Sequence, residues 1–157
     1  MSKKKKILIL GVTGQGGSFM AKFMHEKKYF VHGLVRRSST GNLSNIKDLL
    51  NKKNFFIHHG DLLDIISIEK TIKKIKPDEI YNFADQDHVR WSFEVPSYSF
   101  DVTGSSVVKI LEVIKNSSPR SKFFQPFSSN IFGKSKKKKQ NEKEIFFPLS
   151  IYALGKV

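Results

Sequence analysis

Ile7-Leu8-Ile9-Leu10-Gly11-Val12-Thr13-Gly14-Gln15-Gly16-Gly17-Ser18 decides how this chain is read. Four consecutive aliphatic residues predict a buried strand, the glycines a turn, and a helical pattern opens at Ser18. Glycine serves where the backbone takes positive φ or comes within contact of a ligand. A helix N-terminus adds unpaired N–H groups and the positive end of a dipole. The ligand expected at such a turn is a pyrophosphate. Gly11, Gly14 and Gly17 are spaced G-x-x-G-x-x-G instead of the simpler G-x-G-x-x-G. A glycine triplet alone marks turns of many kinds, so its place between the first strand and an amphipathic helix carries the reading. The candidate cofactor-binding residues of the turn are Gly11, Thr13, Gly14, Gln15 and Gly17.

Downstream, Phe19, Met20, Phe23 and Met24 recur at helical spacing and predict a helix packed on a sheet. Tyr29 to Val35 reads as a second buried strand, with Arg36-Arg37-Ser38-Ser39 at its end. In a dinucleotide fold that position faces the adenosine ribose, where an acid selects a free 2′-hydroxyl and arginine accommodates a 2′-phosphate. Here the acid is missing and two arginines with two hydroxyls stand in its place, which favours NADP over NAD.

Phe55 to His59 is the third strand, and Asp61 at its end is placed to accept a hydrogen bond from an adenine amino group. His58 and His59 suggest a metal pair, but neighbours on a strand point to opposite faces and cannot easily share an ion; no metal site is expected. Ile65 to Lys76 predicts a helix, Glu79 to Ala84 a strand, about Ser99 to Asn116 one long helix, and Lys122 to Phe127 a fifth strand. This alternation predicts an α/β fold: a Rossmann-type doubly wound parallel sheet in three α/β/α layers, with ligands at the carboxyl ends of the strands.

At 157 residues the chain is read as one NAD(P)-binding domain, residues 1–157. It has no cysteine and no apolar run of membrane-spanning length, so a cytoplasmic protein without membrane contact is expected. Lys plus Arg is 28 against 14 Asp plus Glu, a formal charge of +14. The excess falls in the runs Lys3 to Lys6 and Lys136 to Lys139 and on helix surfaces. No aromatic-basic platform accompanies it, which argues against nucleic acid as a partner.

Tyr152 and Lys156 are four apart near the end of the chain, on one face of a helix. An ammonium one turn from a phenol favours the phenolate, which can take a proton from an alcohol while hydride passes to a nicotinamide. Ser128 or Ser129, after the fifth strand, is placed to hydrogen-bond the same substrate oxygen. Tyr-x-x-x-Lys alone means little; with the glycine turn and the upstream serines it forms a constellation.

Six stretches carry a family resemblance: Gly11 to Ser18, Val31 to Ser39, His59-Gly60-Asp61-Leu62, Pro77 to Asn82, Trp91 to Glu94 and Ser150 to Lys156. In order and over the whole chain they resemble the GDP-mannose 4,6-dehydratases, a branch of the extended short-chain dehydrogenase/reductases (the NAD-dependent epimerase/dehydratase family). The resemblance implies a lyase of nucleotide-sugar metabolism that converts GDP-mannose to GDP-4-keto-6-deoxymannose with NADP. It implies Tyr152, aided by Lys156, as the base at the 4-hydroxyl and Ser128 as the hydroxyl on the reacting oxygen. Arg36 and Ser38 match contacts to the 2′-phosphate, Asp61 and Leu62 contacts to adenine, and Tyr152 and Lys156 also count among the cofactor-binding residues.

The departures from the family pattern are specific. Asn130 stands where a glutamate serves as acid/base for the elimination, and an amide cannot shuttle a proton in that way. Gly16 replaces an Asp, Asp85 a small residue, Asp87 a Ser, and Pro126-Phe127 smaller residues before Ser128. A carboxylate near a pyrophosphate is unfavourable unless something pairs it. The family also has a C-terminal portion that binds the GDP-sugar, and the chain is expected to be incomplete relative to it, with terminal residues 152–156 prone to fray. Impaired dehydration is therefore expected. Three alternatives stay open: an epimerase or reductase using hydride transfer only, a non-catalytic NADP-binding module, and a homo-oligomer or complementing C-terminal chain that supplies the rest.

Overall fold

Five short segments of β-branched, aliphatic and aromatic residues pair side by side: β1 (Lys6–Leu10), β2 (Phe30–Val35), β3 (Phe55–His59), β4 (Glu79–Asn82) and β5 (Lys122–Phe124). All neighbours are parallel, in the order β3-β2-β1-β4-β5. The computed structural model describes residues 4–135, 137 and 139–157; of the two lysine runs, Lys3, Lys136 and Lys138 lie outside the described residues. Cα proximity divides the chain into two compact units, Met1–Ala84 with Ile110–Gln125, and Asp85–Lys109 with Pro126–Val157.

The first unit holds the whole sheet. The chain steps outward from β1 to β3 and then crosses back to β4, so the carboxyl ends of β1 and β4 flank the point where the winding reverses. Side chains alternate across the sheet. Ile7, Ile9, Val31, Val35 and Phe55 form one core with Ala21 and Met24 of helix α1 (Gln15–Glu26) and Ile46 and Leu49 of a 3-10 turn (Ser44–Leu49). Leu8, Leu10, Leu34 and Ile80 take the other face. Helix α2 (Ile65–Ile75) crosses in the opposite direction to α1, and right-handed crossovers put the two on opposite faces. Its buried stripe is Ile68, Thr71, Ile72 and Ile75. Asp64 caps α2 through Ser67 N–H, and Lys76 ends it in the left-handed region at φ 49°.

Several boundaries differ from expectation, three of them with a clear local cause. Helix α1 begins at Gln15, not Ser18, because Gly14 is extended (ψ 170°) and its carbonyl accepts Ser18 N–H at 2.9 Å; the glycines of that first turn hide the periodicity. β5 stops at Phe124 instead of Phe127, since Pro126 has no N–H for a ladder. β4 stops at Asn82, whose amide donates to Gln125 Oε1 at 2.7 Å and whose oxygen accepts Ala84 N–H.

In the second unit, helices α3 (Trp91–Glu94) and α4 (Pro96–Phe100) lead into a π-helical turn, Asp101–Ser105, and on into α5 (Ser106–Ser117), which returns the chain to the first unit. Where one uninterrupted helix is expected, the π turn inserts an extra residue. It brings Gly104 against helix α6 (Ile151–Gly155): a Cβ on Gly104 would lie 3.1 Å from Gly155 Cα. Residues 152–156, expected to fray, are instead anchored. Ser150 Oγ accepts Ala153 N–H at 3.0 Å, and Tyr152, Ala153 and Lys156 are buried. Among the described residues no helix is long and apolar enough to cross a membrane.

Candidate functional site

The glycine turn leaves β1 at the winding reversal, and its geometry explains two of the three spaced glycines, Gly11 and Gly17, in steric terms. Gly11 sits at φ +72°, and a Cβ there would meet Ala84 N at 2.6 Å. A Cβ on Gly17 would stand 2.2 Å from the Gly11 carbonyl oxygen. Both glycines are therefore required for the turn to lie this close to the end of β4 and to the start of α1. No side chain caps α1 and no acid occupies its first turn, so the helix itself supplies no counter-charge to its positive end. The absent Cβ atoms let the backbone of the turn pack directly on the end of β4 and the start of α1, and the uncapped first turn of that helix offers the kind of N–H donors that suit a phosphate. The residues present fit the phosphate portion of a dinucleotide.

The turn is held from the side. Asn45 Nδ2 donates to the Thr13 carbonyl at 2.8 Å and Asn42 Nδ2 to Thr13 Oγ1 at 3.2 Å. Gln15 is exposed at the helix start, and the Phe83 ring lies where a larger residue at Gly16 would point, 2.9 Å from its Cβ position. Arg36, Arg37 and Ser38 are exposed directly after β2, with Ser38 Oγ 3.2 Å from Thr40 Oγ1. After β3, Asp61 Oδ1 accepts Leu63 N–H at 2.9 Å and Leu62 is buried. The turn, the arginines and Asp61 thus share the carboxyl edge of three adjacent strands.

His58 and His59 do diverge, and His58 pairs instead with His32: Nδ1 of His32 is 2.9 Å from Nε2 of His58. Burial, with the neighbouring His58, Lys6 and Lys74, pushes His32 down to about 4. Burial, Lys74 and His59 also lower His58. His32 further stacks on Phe56 at 4.9 Å. On β4, burial and the Glu79 carboxylate, 2.8 Å away, raise Tyr81 to about 12, while a hydrogen bond from Lys5 holds Glu79 low.

In the second unit Tyr152 lies in α6 and Lys156 follows at its end, its Nζ 5.5 Å from the centre of the Tyr152 ring. That ammonium is ion-paired with Asp85, and it also donates to the Pro126 carbonyl at 3.4 Å. The other Asp85 oxygen accepts Thr103 Oγ1–H at 2.6 Å. The carboxylate that the sequence marked as needing a partner has two. Ser128 caps a 3-10 turn (Ser129–Phe132) by accepting Asn130 N–H at 3.3 Å, which leaves its own hydroxyl hydrogen to donate elsewhere. Ser129 and Asn130 are exposed.

Three residues escaped the sequence reading. Asn42 and Asn45 lie in a polar stretch without periodicity and reach Thr13 from about thirty positions away. Thr103 sits inside a helical pattern; the available signal was indirect, since Asp85 called for a nearby donor.

Comparison with known proteins supplies the family. The family model described as GDP-mannose 4,6 dehydratase matches residues 8–157. A GDP-mannose 4,6-dehydratase of Yersinia enterocolitica is 40% identical over 98% of this chain and 43% of its own length. Among solved structures, a UDP-N-acetylglucosamine 4-epimerase from Methanobrevibacter ruminantium, in complex with UDP-N-acetylmuramic acid, aligns with TM-score 0.86 and 26% identity over 98% of this chain and 47% of that one. A dTDP-glucose 4,6-dehydratase from Bacillus anthracis, in complex with NAD, aligns with TM-score 0.81 and 24% identity, over 97% of this chain and 47% of that one. The chain spans about half the length of the curated relatives it matches, and within that span it belongs to the GDP-mannose 4,6-dehydratase family.

Proposed function

We propose that this chain carries the NADP-binding and proton-transfer residues of an enzyme that converts GDP-mannose to GDP-4-keto-6-deoxymannose. The observation that carries the reading is the uncapped, glycine-lined cradle at the winding reversal, in a chain that the family model matches from residue 8 to its last residue. The Bacillus anthracis neighbour holds NAD; what favours NADP here is the pair Arg36-Arg37 with Ser38 after β2 and no acid among them. The first-turn N–H groups of α1 hold the pyrophosphate, Arg36 and Ser38 the 2′-phosphate, and Asp61 and Leu62 the adenine. When bound, the nicotinamide accepts a hydride from a sugar carbon and returns it. Tyr152 takes the proton of the sugar hydroxyl, Lys156 favours the phenolate that does so, and Ser128 donates a hydrogen bond to the same oxygen.

One residue supports a narrower chemistry. Elimination of water across two carbons needs a group that gives and takes a proton, and Asn130 offers an amide. Oxidation and reduction at one carbon, with the dinucleotide as hydride acceptor and donor, need no acid/base beyond Tyr152, so on this reading dehydration is impaired and hydride transfer alone is the narrower alternative.

Calorimetric titration with NADP⁺ and NAD⁺ in parallel tests the cofactor reading, at moderate salt so that surface lysines do not mimic a site. Saturable binding that favours NADP⁺ is expected, and the preference falls at least ten-fold, about 1.4 kcal/mol, when Arg36 and Arg37 are both changed to Ala. Equal affinity for the two dinucleotides would refute the assignment of the arginines.

A further inference from the structure

The Tyr152/Lys156 pair has a third member. Asp85 accepts a hydrogen bond from Thr103 on one carboxylate oxygen and faces Lys156 with the other. The Lys156 side chain is 3% exposed and that of Asp85 13%, so both charges lie largely out of water. An ammonium has three hydrogens. The Asp85 carboxylate and the Pro126 carbonyl engage two of them. The ammonium that lies 5.5 Å from the centre of the Tyr152 ring is thus in direct contact with a carboxylate of opposite charge, which offsets its field on everything else nearby.

The carboxylate is also fixed in place. Thr103 belongs to the π turn, and Cβ and Cγ2 of its side chain stand 3.1 Å from where a Cβ on Gly155 would lie. The residue that orients Asp85 therefore packs directly on α6, which precedes Lys156. Neither Thr103 nor Asp85 is part of the proton-transfer set proposed above.

We infer that Asp85 is a positioning residue that locks Lys156: it holds the ammonium in a closed arrangement in which the charge serves a carboxylate instead of the Tyr152 phenol and a dinucleotide. The inference rests on the reading of Tyr152 as base and Lys156 as a cofactor contact, and it makes the strength of that site depend on how readily Asp85 lets go. A ligand that needs the released ammonium binds with its intrinsic affinity reduced by the fraction of molecules in which the lock is open.

The test has one arm without ligand and one with it. In the ligand-free protein, near-ultraviolet phenolate absorbance is compared at one fixed, mildly alkaline pH between the native chain and Asp85→Asn, each with and without Tyr152→Phe to isolate the Tyr152 signal. Asp85→Asn keeps an acceptor for Thr103 and removes the charge, so the Tyr152 phenolate signal is expected to rise several-fold. Should that variant fail to fold because it strands Lys156, Thr103→Val loosens the carboxylate with both charges retained and is expected to raise the signal by a smaller factor. A signal unchanged or lowered in the folded variants overturns the lock. In the second arm NADP⁺ affinity is expected to improve about ten-fold in Asp85→Asn if the open form is about a tenth of the native population. Native protein that binds no dinucleotide refutes the cofactor reading, while the phenolate comparison still decides the lock by itself. A raised phenolate signal with unchanged NADP⁺ affinity overturns the gating of the dinucleotide.

Discussion

Gly17→Ala and Gly14→Ala are the same chemical change three residues apart, and the structure separates their consequences. A Cβ on Gly17 would lie 2.2 Å from Gly11 O, 2.9 Å from Gly11 C and 3.0 Å from Val12 Cα. All three neighbours are backbone, so no rotamer change relieves the clash and α1 must shift from β1. Overpacking of that kind costs up to about 3 kcal/mol, and the better helix propensity of alanine returns about 1 kcal/mol, for a net loss near 2 kcal/mol. At 2–4 °C per kcal/mol for a chain of this size, roughly 4–8 °C of Tm is lost. On Gly14 the nearest atom to a Cβ is Gly11 O at 3.4 Å, an ordinary contact, and φ there is −73°. Its replacement is expected to cost only about 0.5 kcal/mol, from the weaker preference of alanine for the N-cap. Thermal unfolding by circular dichroism reads both. Equal shifts, or the larger shift at Gly14, would refute the packing argument, and with it the claim that the cradle is set by close approach of β1 and α1.

Two further outcomes follow from groups outside the proton-transfer set. The folded-state value of His32 is pushed down to about 4 and that of His58 is lowered as well, so between roughly pH 6.5 and 4 the unfolded chain binds protons that the folded chain resists. Stability is therefore lost as pH falls through that window, by on the order of 1–2 kcal/mol for His32 after allowance for its partial contact with solvent. His32→Phe keeps the stacking on Phe56 and should flatten the urea-unfolding difference between neutral and mildly acidic solution; an undiminished difference would rule out His32 as its source. Asn45→Ala removes the 2.8 Å hydrogen bond that pins the Thr13 carbonyl. Because the contact is exposed, urea unfolding should show a loss of only about 0.5–1 kcal/mol with an unchanged m-value. NADP⁺ affinity should fall several-fold as the turn loses its side support, and an unaltered affinity would show that Asn45 does not shape the site.

Local signals made the sheet legible and left the junctions obscure. The runs Ile7 to Leu10 and Val31 to Val35 are buried on both faces, and such runs admit few readings besides central parallel strands. The order β3-β2-β1-β4-β5 then follows from short right-handed crossovers. Helix α1 starts earlier than its periodicity because the residues of its first turn are glycines, chosen for approach and silent in a hydrophobic pattern. The π turn at Asp101–Ser105 is equally silent: it falls inside a stretch that reads as one long helix, and its extra residue is matched by the contact of Gly104 with Gly155, which no local pattern encodes. Contacts such as Asn45 to Thr13 and Thr103 to Asp85 join residues far apart in sequence through side chains common in any loop or helix. No spacing encodes them.

The departures from the family pattern divide by what the fold does with them. The space beside Gly16 is taken by the Phe83 ring, so a lost side chain there is replaced by packing. Asp85 is an added charge, and Lys156 and Thr103 answer it within one unit. Those two changes cost the fold little, since a half-buried carboxylate with an ammonium and a hydroxyl as partners is satisfied. Asn130 is different in kind. Its backbone N–H donates to the capping Ser128 Oγ whatever the side chain, and the position is exposed, so the fold gains nothing by choosing between an amide and an acid there. A residue the fold leaves free to vary affects only the chemistry. Changing it to a carboxylate should leave unfolding stability within about 0.5 kcal/mol of native. Any effect of Asn130 belongs to the proton that elimination requires, whereas any effect of Asp85 must pass through Lys156.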